Sequence, residues 1–336
     1  MSRISLLRRL ATKLGWAAFV LWAVVSLTFV INNVLPTDAA RMVAGPQARP
    51  AEVARIREQL GLTRPVLVQY LAFLQRLVHL SSSSASEREH TTCATLGPLH
   101  VDLGKSYQQR RPVTDILAER LPRTAMLALA ALVVQTFLGI TAGVLAASAH
   151  GRPLDRLLVG ASLVGVSTPT FIVGLTLQYL LARRLHLLPV DGFGHSLPDH
   201  LASLCLPALT LGLFGAAYYL RVAREDMIDV LRRDFVRTAR AKGASEVVVM
   251  LRHALRNALL PLVTMLGMDL GSLIGGAAVV ETLFRWPGLG ALSVTALLDR
   301  DGPVIVGAVL VTSTAVVLSN VAVDLLYGVL DPETRG

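Results

Sequence analysis

Six runs of about twenty apolar residues dominate this chain, at about 14–35, 124–148, 157–181, 204–222, 259–283 and 304–330. A bilayer core about 30 Å thick needs roughly 20 apolar residues per helix, so each run predicts a transmembrane helix. Of 336 residues, 53% are apolar and 16% charged, whereas soluble proteins carry about 25% charge. A string of soluble domains is thereby excluded. The first run follows Arg3, Arg8, Arg9 and Lys13, the layout of a secretory leader. It is too long for a leader's apolar region and no A-x-A follows Leu35, which predicts a retained helix.

The formal charge of +9 records orientation rather than a nucleic-acid partner. Four basic residues precede the first run, Arg152 and Arg156 lie in the next loop on that side, and nine fall within 221–258. Loops 183–203 and 284–303 carry two each. Short loops rich in Lys and Arg stay cytoplasmic, so both termini are expected in the cytoplasm and segment 36–123 outside. The expected divisions are 1–35, the external segment 36–123, the membrane core 124–330 with a cytoplasmic loop at 223–258, and the tail 331–336.

Within the external segment, 51–60 reads as a short helix stopped by Gly61, and Pro65 opens a second. Leu67, Tyr70, Leu71, Leu74, Leu77 and Val78 share one face of the second, suited to the membrane surface or to the bundle. The polar run S-S-S-S-A-S-E-R-E-H-T-T at 81–92 reads as a flexible loop. Cys93 and Cys205 fall on the same side, as a disulfide or as two free thiols. His90, His100, His195 and His200 show no ligand spacing. No metal site, resident cofactor or nucleophile–base pair is expected.

The most informative stretch is 224–261. Glu225–Leu231 and Asp234–Lys242 read as two short helices, the second with Asp234 at or near its N-cap and Gly243 as its stop. Arg233, Arg237 and Arg240 recur on one face. By composition alone this is a basic segment resting on anionic lipid.

The order of residues adds a second reading. D-F-V-R-T-A-R-A-K-G-A-S (234–245) and R-H-A-L-R-N-A-L-L-P (252–261) resemble the cytoplasmic signature loop of the dipeptide/oligopeptide/nickel permeases of ABC importers. Q-L-G-L-T-R-P (59–65), D-L-G-K-S (102–106), R-R-P-V (110–113), S-T-P-T-F (167–171), E-T-L-F-R-W-P-G-L-G (281–290) and V-D-L-L-Y-G-V-L-D-P (323–332) resemble further landmarks of that family, in its order. Twenty residues near 81–100 stand where such permeases have only a few.

The resemblance implies an all-α, six-helix type I permease with a cytoplasmic coupling helix. Asp234, Arg237, Thr238, Ala239, Lys242 and Gly243 would dock on a separate ATPase. It also implies a second homologous permease, one or two ATPase subunits, an external substrate-binding protein and a bacterial inner membrane. ATP and Mg would be bound by the ATPase, since this chain has no G-x-x-x-x-G-K-[ST] phosphate loop. Peptide import is the leading expectation and nickel or metal-chelate import the alternative. A receptor with a basic platform, and a secondary carrier, which would need internal repeats, are the rivals.

Inside the spans, Asp269 is either a lining of the translocation path or a structural partner. Glu281 is expected at the external mouth, and Asp324 near the cytoplasmic end as a cap or ion-pair member. Gly267, Gly271 and Gly275 place three glycines on one helix face, suited to close packing against a companion subunit or within the chain. Pro169 and Pro207 predict kinks in the third and fourth spans.

Overall fold

The computed structural model describes residues 3–34, 39–45, 47–59, 61–80, 93–96 and 99–330. The 81–92 run and the 331–336 tail lie outside the described residues, as do the side chains of Cys93, His100 and Asp324. The chain divides into two compact units.

One unit comprises Ser2–Pro122 and Gly288–Thr314. It begins with α1 (Arg3–Val34), α2 (Ala39–Ala44), α3 (Pro50–Gln59) and α4 (Val66–Leu77). As expected, α3 stops at Gly61, whose φ is +68°. Gly61 N–H donates to Glu58 O at 2.9 Å and Leu62 N–H to Arg57 O at 3.0 Å, the paired bonds of a Schellman end. Helix α4 packs on α1, with Phe29 against Tyr70 and Phe73 at 5.2 and 5.4 Å. Of the two settings open for α4, the structure adds contact with a membrane helix, while Val66, Leu67 and Leu71 remain exposed.

Periodicity did not anticipate the next element. Strands β1 (Val78–Leu80), β2 (Cys93–Leu96) and β3 (Leu99–Asp102) form a small antiparallel sheet in the order β1-β3-β2. Val78 pairs with Val101, and Cys93 with Asp102. The D-L-G-K-S turn after β3 reaches Asp301, whose carboxylate accepts from Ser106 Oγ and, at 3.1 Å, from Tyr107 N–H. Leu77, Leu103, Val113, Leu117, Leu289 and Val304 form the core here.

The other unit comprises Arg123–Pro287 and the stretch from Ala315. The remaining helices are α5 (Val113–Ser148), α6 (Pro153–Ser167), α7 (Thr170–Leu177), α8 (Leu197–Leu231), α9 (Asp234–Ala241), α10 (Glu246–Val248), α11 (Arg256–Gly276), α12 (Ala278–Leu283), α13 (Leu289–Leu298) and α14 (Gly302–Leu330). Wider π-helical turns at Gln178–Arg184 and Val249–Leu255 extend α7 and join α10 to α11.

Among the described residues, α5, α8 and Gly302–Ala322 of α14 are each long and apolar enough to cross a membrane. Two bent pairs, Pro153–Ser167 with Thr170–Arg184 and Glu246–Leu259 with Pro261–Gly275, raise that number to five. The shorter apolar stretch Gly15–Ile31 of α1 corresponds to the first expected span.

Two expectations change in detail. At Pro169 the chain turns by 105° between two helices rather than kinking. Proline disfavours a helical residue before it, and Thr168 is extended. Pro207 sits inside an unbroken α8, which begins at a capping box of Ser196 and Asp199. The fifth apolar run is two helices, parted at Ala277.

Candidate functional site

Glu225–Leu231, expected as a separate short helix, forms the last turns of α8. Its acidic residues break the apolar run without breaking the helix. The chain then turns through Arg232 and Arg233 into α9. The cap residue is Arg233, and Asp234 stands one position inside it without a side-chain capping bond. Its negative charge in the first turn still suits the helix dipole.

Val236 is fully buried and anchors α9, which packs on the π-helical segment. Asp234, Arg237, Thr238, Lys242 and Gly243 are exposed, and Ala239 is half-buried. The structure therefore brings all six expected docking residues onto one short helix and its terminal turn. Thr238 Oγ1 donates to Asp234 O at 3.0 Å, while Arg237 lies 3.5 Å from the Asp234 carboxylate.

The end of α9 follows the sequence rule. Gly243 has φ +83°, its N–H donates to Arg240 O at 2.9 Å, and Ala244 N–H donates to Ala239 O at 3.2 Å. These are again the two bonds of a Schellman end. Phe235 within α9, and Val247 and Leu251 beyond its end, expose apolar surface beside the basic residues.

Beneath the loop, Ala147 of α5, Met227 and Val230 of α8, Ala254, and Ala258 of α11 form a continuous apolar cluster. The flanks of α9 thus connect through packed side chains to three membrane helices.

The residues singled out within the spans have different fates. Asp269 on α11 accepts from Gln135 Nε2 on α5 at 2.9 Å, with Tyr219 of α8 alongside. Glu281, expected at the external mouth, is fully buried within this chain and accepts from Thr124 Oγ1 at 2.7 Å. Burial is possible because the carboxylate is bonded. Gly271 faces Val316 and Ser319 of α14, whereas Gly275 is exposed and Gly267 half-buried. The three glycines therefore do not act as one packing face within the chain.

Two features escaped the sequence reading. Gly139 and Gly143 on α5 meet α8 so closely that an added Cβ would fall 2.3 Å from Tyr219 Cβ and 2.6 Å from Ala223 Cβ. Their four-residue spacing was the available signal. Trp286 is buried, donates from Nε1 to Arg123 O at 3.0 Å, and meets Phe193 edge-on at 4.9 Å. No spacing rule points to it.

Among the described residues, no group of three His, Cys, Asp or Glu could hold a metal ion. Cys205 is a free thiol that donates to Leu201 O at 3.2 Å, and His200 stacks on Phe193.

Residues 139–336 match the family model described as binding-protein-dependent transport system inner membrane component, and residues 5–128 match its N-terminal companion. The chain belongs to the binding-protein-dependent transport system inner membrane component family. Within it, the chain is 38% identical over 315 residues to the glutathione transport system permease protein GsiC of Escherichia coli K12, covering 94% of each. The corresponding protein of Salmonella paratyphi A is 38% identical, with 92% of each covered.

A solved structure of the methionine ABC transporter MetNI, in an inward-facing conformation, matches 66% of this chain and 98% of its own, with TM-score 0.55 and 18% identity. That likeness shows the fold, the type I permease bundle. The chain is an inner-membrane permease subunit of an ABC importer; it is non-catalytic, and the ATPase is a separate subunit.

Proposed function

We propose that this permease forms half of the translocation path of an ATP-driven importer of di- and oligopeptides. It would pair with a second homologous permease, one or two ATPase subunits that bind ATP and Mg, and an external binding protein. Both termini would lie in the cytoplasm, as the distribution of basic residues implies.

The observation that carries this reading is the exposed α9, closed at its C-terminal end by the Gly243 turn, anchored by buried Val236 and packed on the π-helical segment whose Ala254 belongs to the cluster joining α5, α8 and α11. A helix of eight residues closed by a Schellman turn is a stiff lever. Exposed Thr238 and half-buried Ala239 let a partner surface approach the backbone closely, and Arg237 and Lys242 supply charge at its rim. When ATP closes the paired ATPases, displacement of this helix passes through the packed cluster into the bundle. Anionic lipid can still neutralise Arg232 and Arg233 at the same surface.

The peptide assignment is supported by the identity to glutathione permeases along nearly the whole chain. Asp269 is the proposed path residue. It is a carboxylate among spans 124–148, 201–220 and 257–276, which contain no Lys or Arg, so a cationic group passing nearby would be attracted.

Uptake by cells lacking this gene and complemented with it tests the reading, using labelled di- and tripeptides, glutathione and radioactive nickel. Peptide uptake that also requires the ATPase partners is expected. Nickel uptake alone would overturn the substrate. Transport independent of any ATPase would overturn the mechanism.

A further inference from the structure

The end of α8 that leads into α9 is held by a partly buried ion pair that docking does not use. Asp155, in the first turn of α6, is 3% exposed. Arg224 of α8 grips its carboxylate at two points, Nε to Oδ1 at 2.6 Å and Nη2 to Oδ2 at 2.8 Å. Gly151 N–H also donates to Oδ2, at 2.9 Å, so the turn between α5 and α6 is tied to the same group. His150 Nδ1 lies 3.1 Å from Arg224 Nη2 and 3.4 Å from Asp155 Oδ2.

A two-point bond between a planar guanidinium and a carboxylate fixes orientation as well as distance. A lysine supplies the charge without that constraint. Burying such a pair is poor value as stabilisation, because apolar side chains of similar volume often do as well or better. Its neighbours make a different use plain. The cluster of Ala147, Met227, Val230, Ala254 and Ala258 is apolar, and non-directional contact does not by itself prevent one helix from sliding or rotating past another. The Arg224–Asp155 pair does.

We propose that Arg224 and Asp155 are positioning residues that convert displacement of α9 into movement of the α5–α6 hairpin, instead of slippage of α8 past it. The proposal rests on the reading of α9 as the ATPase-docking helix.

The test uses the complete transporter in lipid vesicles, in a chain with Cys93 and Cys205 replaced by serine. Maleimide labelling of Leu157→Cys, exposed on α6, is compared without nucleotide and with ATP plus vanadate. In parallel, Thr238→Cys is cross-linked to the ATPase. Arg224→Lys keeps the charge and loses the fork; the double variant Asp155→Leu with Arg224→Met replaces the pair with apolar side chains.

Both variants should keep the Thr238 cross-link and ATP hydrolysis, while the nucleotide-dependent change at position 157 shrinks at least fivefold. An intact cross-link with an unchanged labelling response overturns the proposal and leaves docking standing. So does poorer assembly in which the surviving complexes respond as the parent does, since the pair is then only structural. A parent chain with no cross-link overturns the docking reading and this proposal with it.

Discussion

Arg240 and Glu246 face each other across the Gly243 turn and are joined at two points, Nε to Oε1 at 2.9 Å and Nη2 to Oε2 at 3.1 Å. Both are largely in solvent, where an ion pair adds little to global stability. What this one sets is local: the angle at which α9 leaves the segment that continues into α11.

Reversing one charge alone, by Arg240→Glu or Glu246→Arg, should weaken coupling by placing like charges across the turn, with membrane insertion unchanged. The combined reversal should recover it. Transport measured beside ATP hydrolysis checks this, and the single defects should lessen in high salt because exposed charges are screened.

Gly243→Val should uncouple uptake while leaving the chain in the membrane. A β-branched residue at φ +83° carries a strain of about 1–3 kcal/mol, enough to open the two bonds that end α9. Uptake at matched expression decides the matter; normal transport in this variant defeats the docking assignment.

Gly139→Val should reduce the amount of assembled protein, because the new side chain meets Tyr219 Cβ and the carbonyl oxygen of Ala216, which is backbone and cannot swing away. Overpacking of this kind costs about 1–3 kcal/mol or more. Gly160→Ala is the matched comparison: nothing lies within 4 Å of its added Cβ, and it should accumulate like the parent. Detergent-solubilised melting curves separate the two.

Glu281→Leu should lower thermal stability by about 1–3 kcal/mol, since it leaves the buried Thr124 hydroxyl without this acceptor. Glu281→Gln retains an acceptor oxygen and should recover much of the loss. Equal melting of both variants would mean that the Thr124 bond carries no weight.

Apolar content and punctuation made much of this fold legible. Gly61 and Gly243 each predicted a helix end and each closes a Schellman turn, because only the local backbone conformation is at stake there. That the six residues proposed for docking share one helix was legible for the same reason: they occupy eight residues of helix and its stop. What depends on contacts between distant residues was hidden. Glu225, Asp226 and Asp229 made the end of α8 look like a loop boundary, although a helix can continue past its apolar stretch. The burial of Glu281 was not legible because its partner, Thr124, lies 157 residues away. The sheet was obscured by a low-complexity run between its strands.

Nothing lies within 4 Å of the place where a Gly243 side chain would project. Within this chain the turn therefore selects for handedness and not for size. A mirror-image alanine, introduced at position 243 by chemical ligation, would adopt the required backbone without strain, and should hold α9 more rigidly than the natural residue does.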